Sequence, residues 1–354
     1  MPVAKVPRID GRSRPLQIHV LALRDCTPLV PVGVVELLRK ASALAASMPG
    51  AARRQVEITL VAPGSSRTVT CAGGMQLRCG ATMAQVRRSD LVVAPALDPD
   101  LLDHLAANRE VVPWLRKVHD GGADVASVCT GAFLLGEAGL LDGRAATTHW
   151  AYQDLLARRY PRARVEPQAI LVDQGRILTA GGATSFVNLA LHLVERIFGA
   201  AVARASSKMF LIDVNKAPQS AYAMFSSQKL HEDRDILRAQ ELIERSPART
   251  PRIERLAREV AMSPRTFARR FHQSTGNTPR EYVQRVKVEA AKRALESGER
   301  ISSVAAVAGY SDVAAFRRLF ARLTGLKPAD YRARYGPGAP PVTIVAGRRG
   351  RRPG

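Results

Sequence analysis

Residues 253–295 read IERLAREVAMSPRTFARRFHQSTGNTPREYVQRVKVEAAKRAL, and residues 301–335 read ISSVAAVAGYSDVAAFRRLFARLTGLKPADYRARY. Each stretch has the plan of a helix-turn-helix. In the first, Ile253, Leu256, Ala257 and Val260 recur at helical spacing and stop at Ala261-Met262-Ser263. Ser263 is a good N-cap, and Pro264 suits the first turn of the next helix, where a missing N–H costs nothing. That helix turns Phe267 and Phe271 inward and leaves Arg265, Thr266, Ala268, Arg269 and Arg270 for solvent or a ligand. In the second stretch Val304, Ala305 and Ala308 form the buried face and Gly309 permits the turn. Phe316, Leu319 and Phe320 then bury the next helix, leaving Asp312, Val313, Ala314, Arg317 and Arg318 free.

Arg265 and Val313 read as equivalent positions 48 residues apart, and the amphipathic stretch 279–296 reads as a rigid spacer. Two such units on one rod can enter successive major grooves, roughly 34 Å apart. An arginine fork on Arg265 or Arg269 can bond guanine O6 and N7 together, whereas Val313 and Ala314 offer only apolar contact. Arg317 is then the polar reader of the second helix, with Arg318 set for phosphate.

Charge supports a polyanionic partner. From His231 onward there are 26 Lys/Arg against 13 Asp/Glu, within a chain of 354 residues and net +22. That length accommodates two domains. The expected divisions are a disordered N-terminus (1–14), an α/β domain (15–200), a connector (201–234), the helical domain (235–336) and a disordered basic tail (337–354). Cys26, Cys71, Cys79 and Cys129 form no CxxC pair and no cluster with histidine, so no metal or other cofactor is expected and a reducing cytoplasm fits. Cys71 and Cys79 read as part of a surface excursion. Nothing resembles a signal peptide or a membrane span.

The first two-thirds alternate β-rich runs (16–23, 56–61, 90–94, 123–128) with helical runs (32–46, 100–107, 111–120, 150–159, 184–198), and a hairpin reads at 170–180 turned at Gln174-Gly175. This is the pattern of a largely parallel sheet covered by helices. In ADVASVCTGAFLLGEAGLLDGRAATTHW (123–150) a strand ends at Cys129 and Gly131-Ala132 opens a helix, which places the cysteine on a strand-to-helix elbow. Helix-terminal N–H groups there would lower a thiol pKa. Cys129 admits three readings: a small buried turn residue, a wall of an effector pocket, or a reactive thiol. His149 reads as a helix cap or as a base, and Asp25 or Glu36 as an acid that approaches the elbow.

The helical stretch GYSDVAAFRRLFARLTGLKPADYR resembles the signature of AraC/XylS regulators. SerValCysThrGlyAlaPheLeuLeuGly, ThrThrHisTrp at 147–150 and Gly181-Gly182 resemble the PfpI-like, class I glutamine-amidotransferase-like superfamily, in the GlxA-type fusion with AraC domains. The resemblance implies a flavodoxin-like α/β domain and a sequence-specific DNA-binding regulator, an activator by the family's habit. It also implies a small-molecule effector (an amino acid, amine or quaternary ammonium compound) met by Cys129, Thr130, Gly131 and His149, a homodimer, double-stranded DNA, and RNA polymerase as a further partner. Enzymatic relatives carry a histidine where Thr130 stands and an acid where Thr27 stands, which favours a non-catalytic domain. The alternative is a cysteine-dependent amidase- or deglycase-like enzyme with a DNA-binding domain.

Overall fold

The computed structural model describes residues 14–337 except 53, 98–99, 214–216, 224, 226–228 and 230. Of the ends expected to be disordered, 1–14 and 337–354, residues 1–13 and 338–354 lie outside the described residues. The chain divides into two units, the first ending at Gln219 and the second beginning at Ser220.

In the first unit seven strands form one sheet: β1 (Leu16–Leu21), β2 (Val56–Ala62), β3 (Ala81–Thr82), β4 (Leu91–Ala94), β5 (Asp124–Val128), β6 (Leu171–Asp173) and β7 (Ile177–Ala180). Their order is β6-β7-β5-β4-β1-β2-β3. All neighbours are parallel except the β6–β7 hairpin. The register puts Ile18 beside Ile58 and Leu91, and Ala126 beside Val93 and Leu178. Side chains alternate across a strand, so one face gathers Ile18, Val20, Val93, Ala126 and Leu178 and the other Val92, Val125 and Ile177.

The first face packs on α1 (Leu29–Ser47) and α6 (Phe186–Phe198), the second on α2 (Leu101–Ala107), α3 (Val111–Asp120), α4 (Ala132–Glu137) and α5 (Gln153–Arg159). Both faces are covered, which is why the parallel strands read as nearly continuous apolar runs. This is the doubly wound, flavodoxin-like arrangement. Residues 201–209, expected in a connector, instead lie in α7 (Ala200–Met209), whose Val202 is fully buried in the same cluster as Leu189 and Val194. The cysteines expected on a surface excursion are interior: Cys71 and Cys79 each directly follow a strand of a small hairpin (Thr68–Thr70 with Gln76–Arg78) and are buried. Tertiary cover, which local polarity does not reveal, closes over them.

The second unit contains α8 (Arg234–Arg245), α9 (Ile253–Glu259), α10 (Pro264–Thr275), α11 (Pro279–Glu296), α12 (Ile301–Val307), α13 (Val313–Thr324) and α14 (Pro328–Tyr335). It has two cores. Ile236, Leu256, Phe267, Phe271 and Tyr282 build one; Leu295, Val304, Phe316, Phe320 and Tyr331 build the other. The rod α11 serves both, giving Tyr282 and Val286 to the first and Val288, Ala291 and Leu295 to the second.

Candidate nucleic-acid interface and ligand-sensing elbow

The second helices of the two helix-turn-helix units, α10 and α13, are built alike. Ser263 Oγ accepts the Thr266 N–H (3.2 Å) at the start of α10, and Asp312 Oδ1 accepts those of Ala314 (2.8 Å) and Ala315 (3.1 Å) at the start of α13. Each cap satisfies helix-terminal donors that would otherwise lack partners. Each helix ends on a left-handed glycine, Gly276 or Gly325, both with φ 72°. The preceding threonine hydroxyl bonds back one turn: Thr275 to the Phe271 carbonyl and Thr324 to the Phe320 carbonyl, both at 2.8 Å. The tyrosine of the following helix closes each unit, Tyr282 donating to Glu244 at 2.5 Å and Tyr331 to Glu296 at 2.6 Å.

These matched features fix a register that differs from the sequence expectation. Ser263 pairs with Asp312, Phe267 with Phe316 and Gly276 with Gly325, a spacing of 49. Arg265 therefore corresponds to Ala314, not Val313, and Arg269 corresponds to Arg318. A spacing of 48 holds only for the leading helices and the first part of the turn, where Met262 N–H bonds the Ala257 carbonyl (2.9 Å) as Tyr310 N–H bonds that of Ala305 (2.8 Å). One extra turn residue, Ser311, accounts for the shift.

Arg265, Ala268 and Arg269 are exposed on α10, and Val313, Ala314, Arg317 and Arg318 on α13. Thr266 is half-buried and its hydroxyl accepts from Ser263 at 2.9 Å. Two of the expected contact residues are committed elsewhere. Arg270 forms ion pairs with Asp233 and Asp235, and the Asp312 carboxylate caps α13, with those N–H bonds holding its pKa below the ordinary value.

In the first unit the elbow lies at the carboxyl ends of the parallel strands, where ligands of open α/β sheets bind. Cys129 has φ +56°, an uncommon conformation for a side-chain-bearing residue. Its neighbours hold it there. Thr130, fully buried, donates to the Leu97 carbonyl (2.7 Å) and accepts from the Leu97 N–H (2.8 Å). A methyl on Gly131 would lie 2.5 Å from the Pro95 carbonyl oxygen. Thr148 Oγ1 donates to the Cys129 carbonyl at 2.8 Å. Thr130 and Gly131 thus hold the turn, and Cys129 itself is buried.

The thiol runs opposite to expectation: burial pushes Cys129 up to about 11, against the lowering effect of its hydrogen bonds with Thr130. His149 Nδ1 accepts the Ala151 N–H at 3.2 Å, and burial lowers its pKa. A neutral ring that accepts at Nδ1 carries its proton on Nε2, so in this arrangement His149 offers a donor and no base. Asp25 instead faces His104 at 3.8 Å, and Glu36 lies beside Arg39 (4.0 Å) and Lys40 (3.9 Å) on α1. Local sequence gave no sign that Cys26 and Cys71 would meet, yet their sulfurs lie 3.7 Å apart. Among the described residues no group of three or more His, Cys, Asp or Glu is arranged to hold a metal, and no helix is long and apolar enough to cross a membrane.

Topology and paired helical units together define an α/β domain joined to a tandem helix-turn-helix domain. Residues 34–196 match the DJ-1/PfpI family and residues 256–334 a helix-turn-helix domain, so the chain joins a DJ-1/PfpI domain to an AraC-type DNA-binding domain. The HTH-type transcriptional regulator CdhR of Pseudomonas aeruginosa is 26% identical over 286 residues, 79% of this chain and 84% of CdhR. The HTH-type transcriptional regulator GlxA of Rhizobium meliloti is 26% identical over 333 residues, 92% of this chain and 98% of GlxA. Isonitrile hydratase of Pseudomonas putida is 33% identical over 134 residues, 37% of this chain and 55% of the hydratase.

Proposed function

We propose that this chain is a sequence-specific DNA-binding transcriptional regulator, an activator, whose DJ-1/PfpI domain senses a small metabolite without catalysis. The observation that carries the reading is the matched pair α10 and α13, equally capped and equally ended, each with an exposed arginine, Arg269 and Arg318, in the same register. The relatives that span most of the chain are named as regulators, which supports it. Cysteine hydrolysis needs a thiolate and a base in reach. A thiol raised to about 11 and a His149 whose Nδ1 is taken up by the Ala151 N–H argue against that chemistry.

The effector, an amino acid, amine or quaternary ammonium compound, would sit over Cys129 and the His149 Nε2–H. A homodimer would present two DNA-binding domains to a repeated operator and recruit RNA polymerase. The connector is anchored at each end within the unit it joins. Gln219 Nε2 bonds the Ala169 carbonyl (3.1 Å) and Thr147 Oγ1 (3.3 Å) in the first; Phe225 N–H bonds Glu289 (3.3 Å) in the second. A ligand can shift the DNA-competent population only through unequal affinity for the two arrangements. Mapping bound DNA across the genome of the source organism tests the reading: discrete sites sharing one motif are expected, and uniform, motif-free occupancy overturns it. Turnover of an amide, isonitrile or glycated substrate that depends on Cys129 would overturn the non-catalytic part.

A further inference from the structure

Away from the elbow, α6, α7 and the β6 edge enclose a cleft of about 500 Å³, within the range of small-molecule sites. Its apolar walls include Ile170, Leu171 and Leu191. Three polar side chains face it with nothing to bind. Asn188 and Glu195 stand two turns apart on one face of α6, and Arg204 comes from α7. The Asn188 Oδ1 atom is buried without a hydrogen-bond partner. Neither the Glu195 carboxylate nor the Arg204 guanidinium forms an ion pair or hydrogen bond among the described residues.

The pattern is selective. His192, between Asn188 and Glu195 on the same face, is committed to Asp173 at 2.7 Å, and Asp173 lies 3.8 Å from Arg196 as well. Glu195 is therefore the cleft's uncommitted negative charge and Arg204 its uncommitted positive charge. Opposite charges that line one cleft without pairing leave room for a ligand between them. A buried acceptor with no partner costs about 1–3 kcal/mol, which a ligand donor would recover once the Asn188 carboxamide turns toward the cleft.

We propose that this cleft is a second small-molecule site, separate from the elbow, for an amphoteric ligand. Its ammonium or guanidinium meets Glu195 and the Asn188 carboxamide oxygen, its carboxylate meets Arg204, and an aliphatic body lies on Leu171 and Leu191. The site does not depend on the regulator reading, because binding is measured without DNA.

The test is titration calorimetry of the full chain with ω-amino acids of increasing length, from glycine to 6-aminohexanoate, against the matching alkylamines and alkanoates. Expected is binding by the zwitterions of one favoured length, with each single-charge analogue weaker by about tenfold or more, the loss that follows from removing one charge-assisted hydrogen bond. Glu195→Gln and Arg204→Ala should each weaken the favoured zwitterion to a similar degree, and Arg204→Lys should retain most of the affinity. Circular dichroism melts confirm that each variant is folded. Absence of binding at every length overturns the proposal, as does affinity that survives both Glu195→Gln and Arg204→Ala.

Discussion

The guanidinium of Arg270 spans both carboxylate oxygens of Asp233, with Nε 2.9 Å from Oδ2 and Nη2 2.6 Å from Oδ1. Asp233 also caps α8, its Oδ1 accepting the Ile236 N–H at 3.2 Å. One carboxylate thus fixes the start of α8 and clamps it to the reading helix α10. Burial alone would raise the Asp233 pKa, but Arg270 and the Ile236 N–H outweigh it and hold the carboxyl below its ordinary value. A depressed folded-state pKa contributes stability above the ordinary carboxylate range, and that contribution is lost as pH falls through the depressed value. Melts of wild type and Asp233→Asn should therefore differ at neutral pH and converge in acid. Arg270→Ala should weaken binding to all DNA sequences alike while leaving the selected motif unchanged; a changed motif would make Arg270 a reader.

The turns of the two units contain a second matched pair with opposite expectations. Ala261 has φ 52° and Gly309 φ 72°. A left-handed conformation costs a side-chain-bearing residue about 1–2 kcal/mol, so Ala261→Gly should leave stability unchanged or raise it by up to about 1 kcal/mol after the entropy cost of glycine. At Gly309 a methyl would lie 2.4 Å from the Ala248 carbonyl oxygen, so Gly309→Ala adds a backbone clash to the same strain. Urea denaturation of the second unit's variants checks the ranking. Equal destabilisation by both changes would contradict it.

Arg196 and Asp124 form an interior ion pair at 2.8 Å, with Arg196 only 4% exposed. Arg196 Nη1 also donates to the Gly175 carbonyl at 3.0 Å, which ties the hairpin turn to α6. Removing one partner strands a buried charge, so Arg196→Ala should cost about 3–5 kcal/mol. Asp124→Asn with Arg196→Met should recover part of that loss in thermal melts, since neither buried charge of the pair is then stranded; Asp173 keeps His192, and the half-exposed Arg176 keeps solvent.

Much of this arrangement was legible in the sequence because it is local. The Ser263 cap and the Phe267/Phe271 spacing rest on contacts within a few residues, and the elbow at Cys129 shows as a change from strand to helix pattern, although Leu97 and Thr148, 33 and 19 residues away, hold it. What escaped the reading lies far apart along the chain or inside a turn. Asp233 and Arg270 are 37 residues apart and Cys26 and Cys71 are 45 apart; packing alone unites them. Ser311 escaped because hydrophobic periodicity counts positions within helices and carries no information on turn length. The Cys129 thiol was misjudged because helix-terminal dipoles act over one turn, whereas the desolvation that outweighs them comes from the whole surrounding core.

That misjudged thiol gives a direct measurement. With Cys129 raised to about 11, its alkylation by iodoacetamide should be slow at neutral pH and climb steadily toward pH 10, tracking the small thiolate fraction. Peptide mapping assigns the modified cysteine. A rate plateau near neutral pH would mean that a ligand or a movement of the elbow exposes and activates the sulfur.

The register of the reading helices decides what each arginine does. Had Arg265 matched Val313, Arg318 would face away from the position that Arg269 occupies and would suit a phosphate. The caps and terminal glycines instead place Arg269 and Arg318 at the same point of their helices, both exposed. Equivalent positions on two helices presented to successive grooves face base edges alike, so both arginines are expected to read and Arg265 to find only Ala314 as its counterpart. Arg269→Ala and Arg318→Ala should each relax base preference, at two places in the site about one helical turn of DNA apart, by roughly 1–3 kcal/mol where a bidentate guanine contact is lost. Arg317→Ala tests the neighbouring face. Selection from random DNA by the wild type and each variant measures this. A motif unchanged by Arg318→Ala, with affinity reduced evenly across sequences, would return Arg318 to the phosphate backbone and leave Arg269 as the lone guanine reader of the pair.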